Sequence, residues 1–142
     1  YMAKIAVNAE KMTKYNLEDY KLLGTAIHNT IAKCAVDATL ELPIKAIVAN
    51  SLTGKTALDI SSLRPNALIV ATVTSEKVAR SLALKWGVYP KIVPVSNDTD
   101  SIVLEGVKQA KAMLDLKYGD LVCVVGGFPT DAHTNFLKIQ EI

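Results

Sequence analysis

From Pro43 onward the chain alternates two rhythms, and that alternation limits the folds open to it more than any other feature. Short apolar runs rich in β-branched residues stand at Ala46–Ala49, Ala67–Thr72, Lys91–Val95 and Leu121–Val125. Such runs are too short for buried helices and fit strands buried on both faces. Between them lie amphipathic helical patterns, from about Thr56 to Ser61, Ser75 to Trp86 and Thr99 to Leu114. Ser75 is placed to cap the second of these, with Glu76 favourable in its first turn. Strands that alternate with helices predict a three-layer α/β/α domain around a mostly parallel sheet. A fifth strand is expected at Thr134–Ile139, and only about eight residues separate it from the fourth. That gap is too small for a helical crossover, so the last strand should run antiparallel.

Two helices precede the sheet. Met2 to about Thr13 sets Met2, Ile5, Ala6, Ala9 and Met12 on one face. A polar stretch, Asn16 to Lys21, interrupts the pattern. From about Gly24 to Leu42 a longer helix carries Ile27, Ile31, Cys34, Ala35 and Ala38 on its apolar stripe, and Pro43 ends it. The whole fits one domain: 142 residues, half of them hydrophobic and 21% charged. A net charge of +2 with scattered cations offers no basic stripe for nucleic acid. No apolar run reaches membrane-spanning length, and the first ten residues lack the plan of a signal peptide. Cys34 and Cys123 fall inside expected secondary structure and read as small buried hydrophobes, which suits a reducing, cytoplasmic setting. No spacing suits a metal.

Ligands of such sheets bind beyond the C-terminal ends of the strands. Asn50-Ser51-Leu52-Thr53-Gly54-Lys55-Thr56 stands there, with three hydroxyls, a glycine, one cation and free N–H groups where a helix begins. Those are the groups that hold a phosphate ester. They are equally the groups that turn a chain and cap a helix. Gly54-Lys55-Thr56 resembles the end of a nucleotide P-loop, but Ala49 stands where the first glycine of that motif belongs, which argues against one.

Several spaced motifs together resemble the C-terminal domain of pyruvate kinases. Ala46 to Ala57 is similar to the family's effector loop, and Ile60-Ser61-Ser62-Leu63-Arg64-Pro65 to its Ile-Ser-x-Phe/Tyr-Arg-Pro. Ala79 to Pro90, Gly119-Asp120-Leu121-Val122 and Thr134 to Ile139 match further family motifs in order. Met2 to Ala6 resembles the helix that precedes this domain in the intact enzyme.

The resemblance implies residues 1–15 as a helix leading from a catalytic barrel outside this chain, and 16–142 as the regulatory domain. The parent enzyme would transfer phosphate from phosphoenolpyruvate to ADP in glycolysis, using Mg2+ or Mn2+ and K+. No residue here matches its catalytic lysine, metal carboxylates or substrate arginine, so the chain alone is expected to be inactive and without a cofactor. Ser51, Leu52, Thr53, Gly54, Lys55 and Thr56 would cradle an effector phosphate, with Thr130, Asp131, Ala132 and His133 on the rim of the pocket. Val95 and Ile102 stand where the fructose-bisphosphate pattern has Trp and Arg, and Asp131 would repel an anion. A monophosphate, a sugar phosphate or AMP, is therefore expected rather than a bisphosphate. The implied partners are the barrel and a homotetramer, with the second helix and last strand as contact surfaces. The alternative is a free-standing domain of this family acting as an interaction module without an effector. Trp86 is expected to pack its own helix, His28 to be structural, and Asp98 to cap the helix beginning near Thr99.

Overall fold

A computed structural model describes residues 1–12, 26–127 and 134–142. Asn16 to Lys21, the 15/16 domain boundary, and Thr130 to His133 lie outside the described residues. The elements run α1 (Met2–Met12), α2 (Ala26–Glu41), β1 (Ile44–Asn50), α3 (Lys55–Ser62), β2 (Leu68–Val73), α4 (Glu76–Leu82), β3 (Val88–Ile92), α5 (Thr99–Leu114), β4 (Leu121–Gly126) and β5 (Phe136–Glu141).

The five strands form one sheet in the order β3-β2-β1-β4-β5. All neighbours are parallel except β4 and β5, which pair antiparallel from Leu121↔Glu141 to Gly126↔Phe136. The expected mixed α/β sheet is therefore the observed one. Side chains alternate between two apolar clusters, as the pleat requires. Ile47, Ala49, Ile69, Ala71, Cys123 and Val125 pack beneath residues of α2, α3 and α4. Ala46, Val48, Val70, Val122 and Val124 face α5, through Val103, Val107 and Ala110. The register shifts between Ile44 and Ala46, and the extra residue, Lys45, points to solvent.

Several elements differ from expectation for identifiable reasons. Strand β3 begins at Val88, so it includes Pro90; an edge strand tolerates a residue that cannot donate to a ladder. Helix α4 consequently stops at Leu82, and Ala83 to Gly87 turn the chain back, with Gly87 at φ 65°. Trp86 thus lies in that turn, half-buried, with the Arg64 guanidinium 4.8 Å above its ring. The buried face of α2 is His28, Ala32, Ala35, Val36 and Thr39, while Ile27 and Cys34 are exposed. Ile31, Ala35 and Ala38 of the expected stripe do pack in or against the core, and the buried face turns away from Ile27 and Cys34 toward His28, Ala32, Val36 and Thr39. Of the two cysteines only Cys123 is buried, and burial pushes its thiol up to about 12. It is a packing residue rather than a thiolate nucleophile.

Gly106 explains how α5 lies so close to the sheet. A Cβ there would stand 2.6 Å from Val48 Cγ1, in a central strand whose β-branched side chain has no room to move. Gly106→Ala should gain about 1 kcal/mol of helix propensity but lose more to overpacking, which typically costs about 1–3 kcal/mol. A lowered urea midpoint is the expected outcome, and an unchanged or raised one would show that α5 can lift without cost.

Candidate functional site

Strands β2 and β3 lie to one side of β1 and are reached across the face covered by α3 and α4. Helix α5 then returns the chain across the opposite face to β4 on the other side. The strand order therefore reverses between β1 and β4, and their C-terminal ends open the crevice where such sheets bind ligands. The β1–α3 turn sits at that point.

Its local structure follows from a few hydrogen bonds. Ser51 N–H donates to Thr72 O at 3.2 Å, extending the ladder, and Thr72 Oγ1 donates to Asn50 Oδ1 at 3.2 Å. Ser51 Oγ then accepts from Gly54 N–H at 2.9 Å and closes the turn. Gly54 has φ 83°, and a Cβ there would meet Val78 and Leu82 at 3.1–3.2 Å, so glycine is required on two counts. Thr56 Oγ1 and Thr134 Oγ1 share a hydrogen bond of 2.6 Å, tying the first turn of α3 to the residues before β5.

The six residues of the loop thus divide by role. Ser51, Gly54 and Thr56 are buried and hold the turn in shape, while Leu52, Thr53 and Lys55 are exposed. Among the described residues no hydrogen bond engages the N–H groups of Leu52 or Thr53. Helix α3 has Gly54 at its N-cap, which has no side chain to cap it; Thr53 Oγ1 accepts from Lys55 N–H at 3.4 Å, and the N–H groups of Thr56 and Ala57 stay open. Exposed donors, a hydroxyl, an ammonium and a helix's positive end converge on one patch.

A cavity of about 360 Å³ adjoins the loop and shares Asn50 and Leu52 with it. Val95 and Ile102 line it, together with Thr74, Asn97 and Glu105 from the ends of β2 and β3 and from α5. Reading the sequence missed these last three. Thr74 and Asn97 follow the β2 and β3 segments closely, so the rule that located the β1 loop could also have found them. The start of α5, unlike that of α3, is already closed: Asp98 accepts from Ser101 N–H at 3.0 Å and from Ser101 Oγ at 2.5 Å. The hydroxyl bond first, and then the N–H bond, hold the Asp98 carboxyl below its ordinary value. Asp98 therefore caps α5 as expected.

The other singled-out residues lie elsewhere. His28 Nε2 stands 2.5 Å from Asp59 Oδ2, a buried pair joining α2 to α3, so this histidine has a partner 31 positions away in sequence. Trp86 sits at the N-terminal end of β3, opposite the loop. Thr130, Asp131, Ala132 and His133 lie outside the described residues.

The family model of the pyruvate kinase alpha/beta domain matches residues 29–140. The chain belongs to that family. Pyruvate kinases from Clostridium acetobutylicum and Staphylococcus haemolyticus are each 38% identical over 99% of this chain, which covers 31% and 25% of their own lengths. A crystal structure of a pyruvate kinase from Cryptosporidium parvum superposes with a TM-score of 0.74 at 27% identity, over 84% of this chain and 23% of that one. The chain spans about a third or less of the length of the curated relatives it matches. Among the described residues no three His, Cys, Asp or Glu side chains gather to hold a metal, so the ions implied by the family find no donor set there. No helix among those residues is long and apolar enough to cross a membrane.

The depressed Asp98 pKa makes the cap dependent on pH in a definite direction. A carboxyl whose folded value lies below its unfolded one stabilises fully above the ordinary 3.8 and loses that contribution as pH falls through the folded value. Asp98→Ala should lower Tm at pH 7, with the difference from wild type narrowing as pH drops below 3.8. A difference that is constant across that range would contradict the cap.

Proposed function

We propose that this chain is the regulatory domain of a pyruvate kinase, binding a phosphorylated effector at the β1–α3 loop. The observation that carries the reading is the convergence of unengaged Leu52 and Thr53 N–H groups, the uncapped start of α3 and exposed Lys55 at the point where strand order reverses. Phosphate oxygens accept from those N–H groups and from the Thr53 hydroxyl, while Lys55 adds charge. Each charge-assisted bond is worth roughly 1.5–3 kcal/mol in a sheltered site. Ser51, Gly54 and Thr56 fix the loop rather than touch the ligand.

In this reading the transfer of phosphate from phosphoenolpyruvate to ADP, with its Mg2+ or Mn2+ and K+, belongs to a catalytic barrel outside residues 16–142, and α1 leads from it. The exposed Met2, Ile5 and Val7 of α1 suit a helix that packs against another body. Allosteric coupling runs through α3. Its first turn is tied to Thr134 beside β5, and its middle is tied by Asp59 to His28 of α2. Helix α2 exposes Ile27 and Leu40, and β5 is the edge strand. Those two elements are the proposed contacts of a homotetramer, so an effector that prefers one position of α3 biases the assembly.

Thermal unfolding with AMP, ribose 5-phosphate and inorganic phosphate at fixed ionic strength tests the site. Ligand at a hundredfold its Kd should stabilise the chain by about 2.7 kcal/mol, and Thr53→Glu should abolish that gain without unfolding the protein. Stabilisation that survives Thr53→Glu would place the anion elsewhere. Trp86 fluorescence is the weaker reporter, because the ring lies at the opposite end of the sheet.

A further inference from the structure

The end of the sheet opposite the loop carries a separate groove with different chemistry. It has a volume of about 690 Å³, and Leu58, Arg64, Leu84, Lys85 and Trp86 wall it where α3 and α4 end. Arg64 is its fixed point. The residue follows α3 at φ 52°, in the left-handed region that side chains with a Cβ rarely adopt. Strain of that kind persists where the surroundings over-determine it. Here the guanidinium stacks 4.8 Å over the Trp86 ring, and Ser61 Oγ donates to Trp86 O at 2.6 Å, pinning that turn to α3. Stacking occupies a face of the guanidinium and leaves its edge donors free. Among the described residues neither Arg64 nor Lys85 forms an ion pair.

The other polar groups around the groove are already engaged. Ser62 Oγ donates to Asp59 O at 2.7 Å. The helix-end carbonyls that would oppose an anion accept instead from the chain: Ser61 O from Arg64 N–H at 3.1 Å, and Leu82 O from Lys85 N–H at 3.0 Å. The Asp59 carboxylate is turned to His28, and no carboxylate lines the groove. An anion therefore meets one planar fork and one ammonium, with no spare hydroxyl and no helix N-terminus. The two coplanar oxygens of a carboxylate match that fork. The three oxygens of a phosphate ester would be left short of donors. A ligand ammonium would face Arg64 and Lys85 with no counter-charge in the wall. Beside the fork, Leu84 is 93% and Leu58 41% exposed, so an apolar tail laid there would remove surface from water.

We infer that this groove is a second ligand site, for monocarboxylates that carry a branched aliphatic or aromatic tail and no ammonium group. Arg64 fixes the carboxylate, Lys85 adds charge, and Leu58, Leu84 and the uncovered part of Trp86 take the tail. The site does not depend on the phosphate reading of the β1–α3 loop.

Trp86 is the sole tryptophan of the chain, so its emission reports the site. At constant pH and ionic strength, isocaproate should change that emission saturably. It should bind at least about tenfold tighter than acetate, since each methylene buried is worth about fourfold. Leucine, which adds only the ammonium, and isocaproamide, which removes the charge, should each bind at least about tenfold more weakly than isocaproate. Calorimetric titration serves for the variants, because removing Arg64 alters the emission by itself. Arg64→Gln should weaken isocaproate binding about tenfold. Lys85→Gln, at an exposed position that folding does not need, should weaken it about threefold. Equal affinity for leucine and isocaproate, competition by inorganic phosphate, unchanged affinity in both variants, or no saturable response at millimolar acid overturns the site.

Discussion

Strand β1 is paired on both edges and covered on both faces, and the rest of the domain is arranged around that constraint. Ile47 and Ala49 point one way, Ala46 and Val48 the other, and all four are essentially without solvent contact. A strand in that position needs helices above and below it, because water reaches neither face. Chirality then fixes the route. Right-handed crossovers send the chain outward through α3 and α4 on one face and back through α5 on the other. The reversal between β1 and β4 is the consequence, and with it a crevice at their C-terminal ends. The position of the candidate site is thus set by the packing of one strand.

That packing also accounts for two glycines with unrelated roles. Gly106 lets α5 approach Val48 closely enough to seal the second cluster, and Gly54 lets the chain leave β1 in a left-handed turn under α4. The turn carries its own braces, Ser51 Oγ to Gly54 N–H and Thr56 to Thr134. With those groups engaged internally, the proposed anion recognition falls to Leu52, Thr53 and Lys55. A loop that keeps separate bracing and binding residues is preorganised, so less ordering accompanies ligand capture.

Much of this was legible in the residues. The continuous apolar runs gave the strands, the short gap before Thr134 gave the antiparallel partner, and Pro43 marked the end of α2. Whatever depended on side-chain partners distant in sequence was not legible. Nothing near His28 foretells Asp59, and nothing near Thr56 foretells Thr134. The stripe of α2 was right at Ile31, Ala35 and Ala38 and wrong at Ile27 and Cys34, because its buried face also uses a histidine and a threonine, which hydrophobic periodicity ranks low. The third strand was expected at Lys91–Val95 and lies at Val88–Ile92, because Val88 to Pro90 pair with Ile69 to Ala71 of β2, a partner distant in sequence. In the site, the loop was visible from its hydroxyls and glycine. The adjoining cavity was not, because it draws on the ends of three strands and one helix.

Anion binding at the β1–α3 turn is the claim on which the functional reading stands, and backbone amides report it most directly. Inorganic phosphate titrated at constant ionic strength into 15N-labelled chain should shift the amides of Leu52, Thr53 and Lys55 to Ala57 saturably, with one dissociation constant. Shifts centred instead on the Arg64–Trp86 end of the sheet or on the start of α5, or none that saturate, would contradict it.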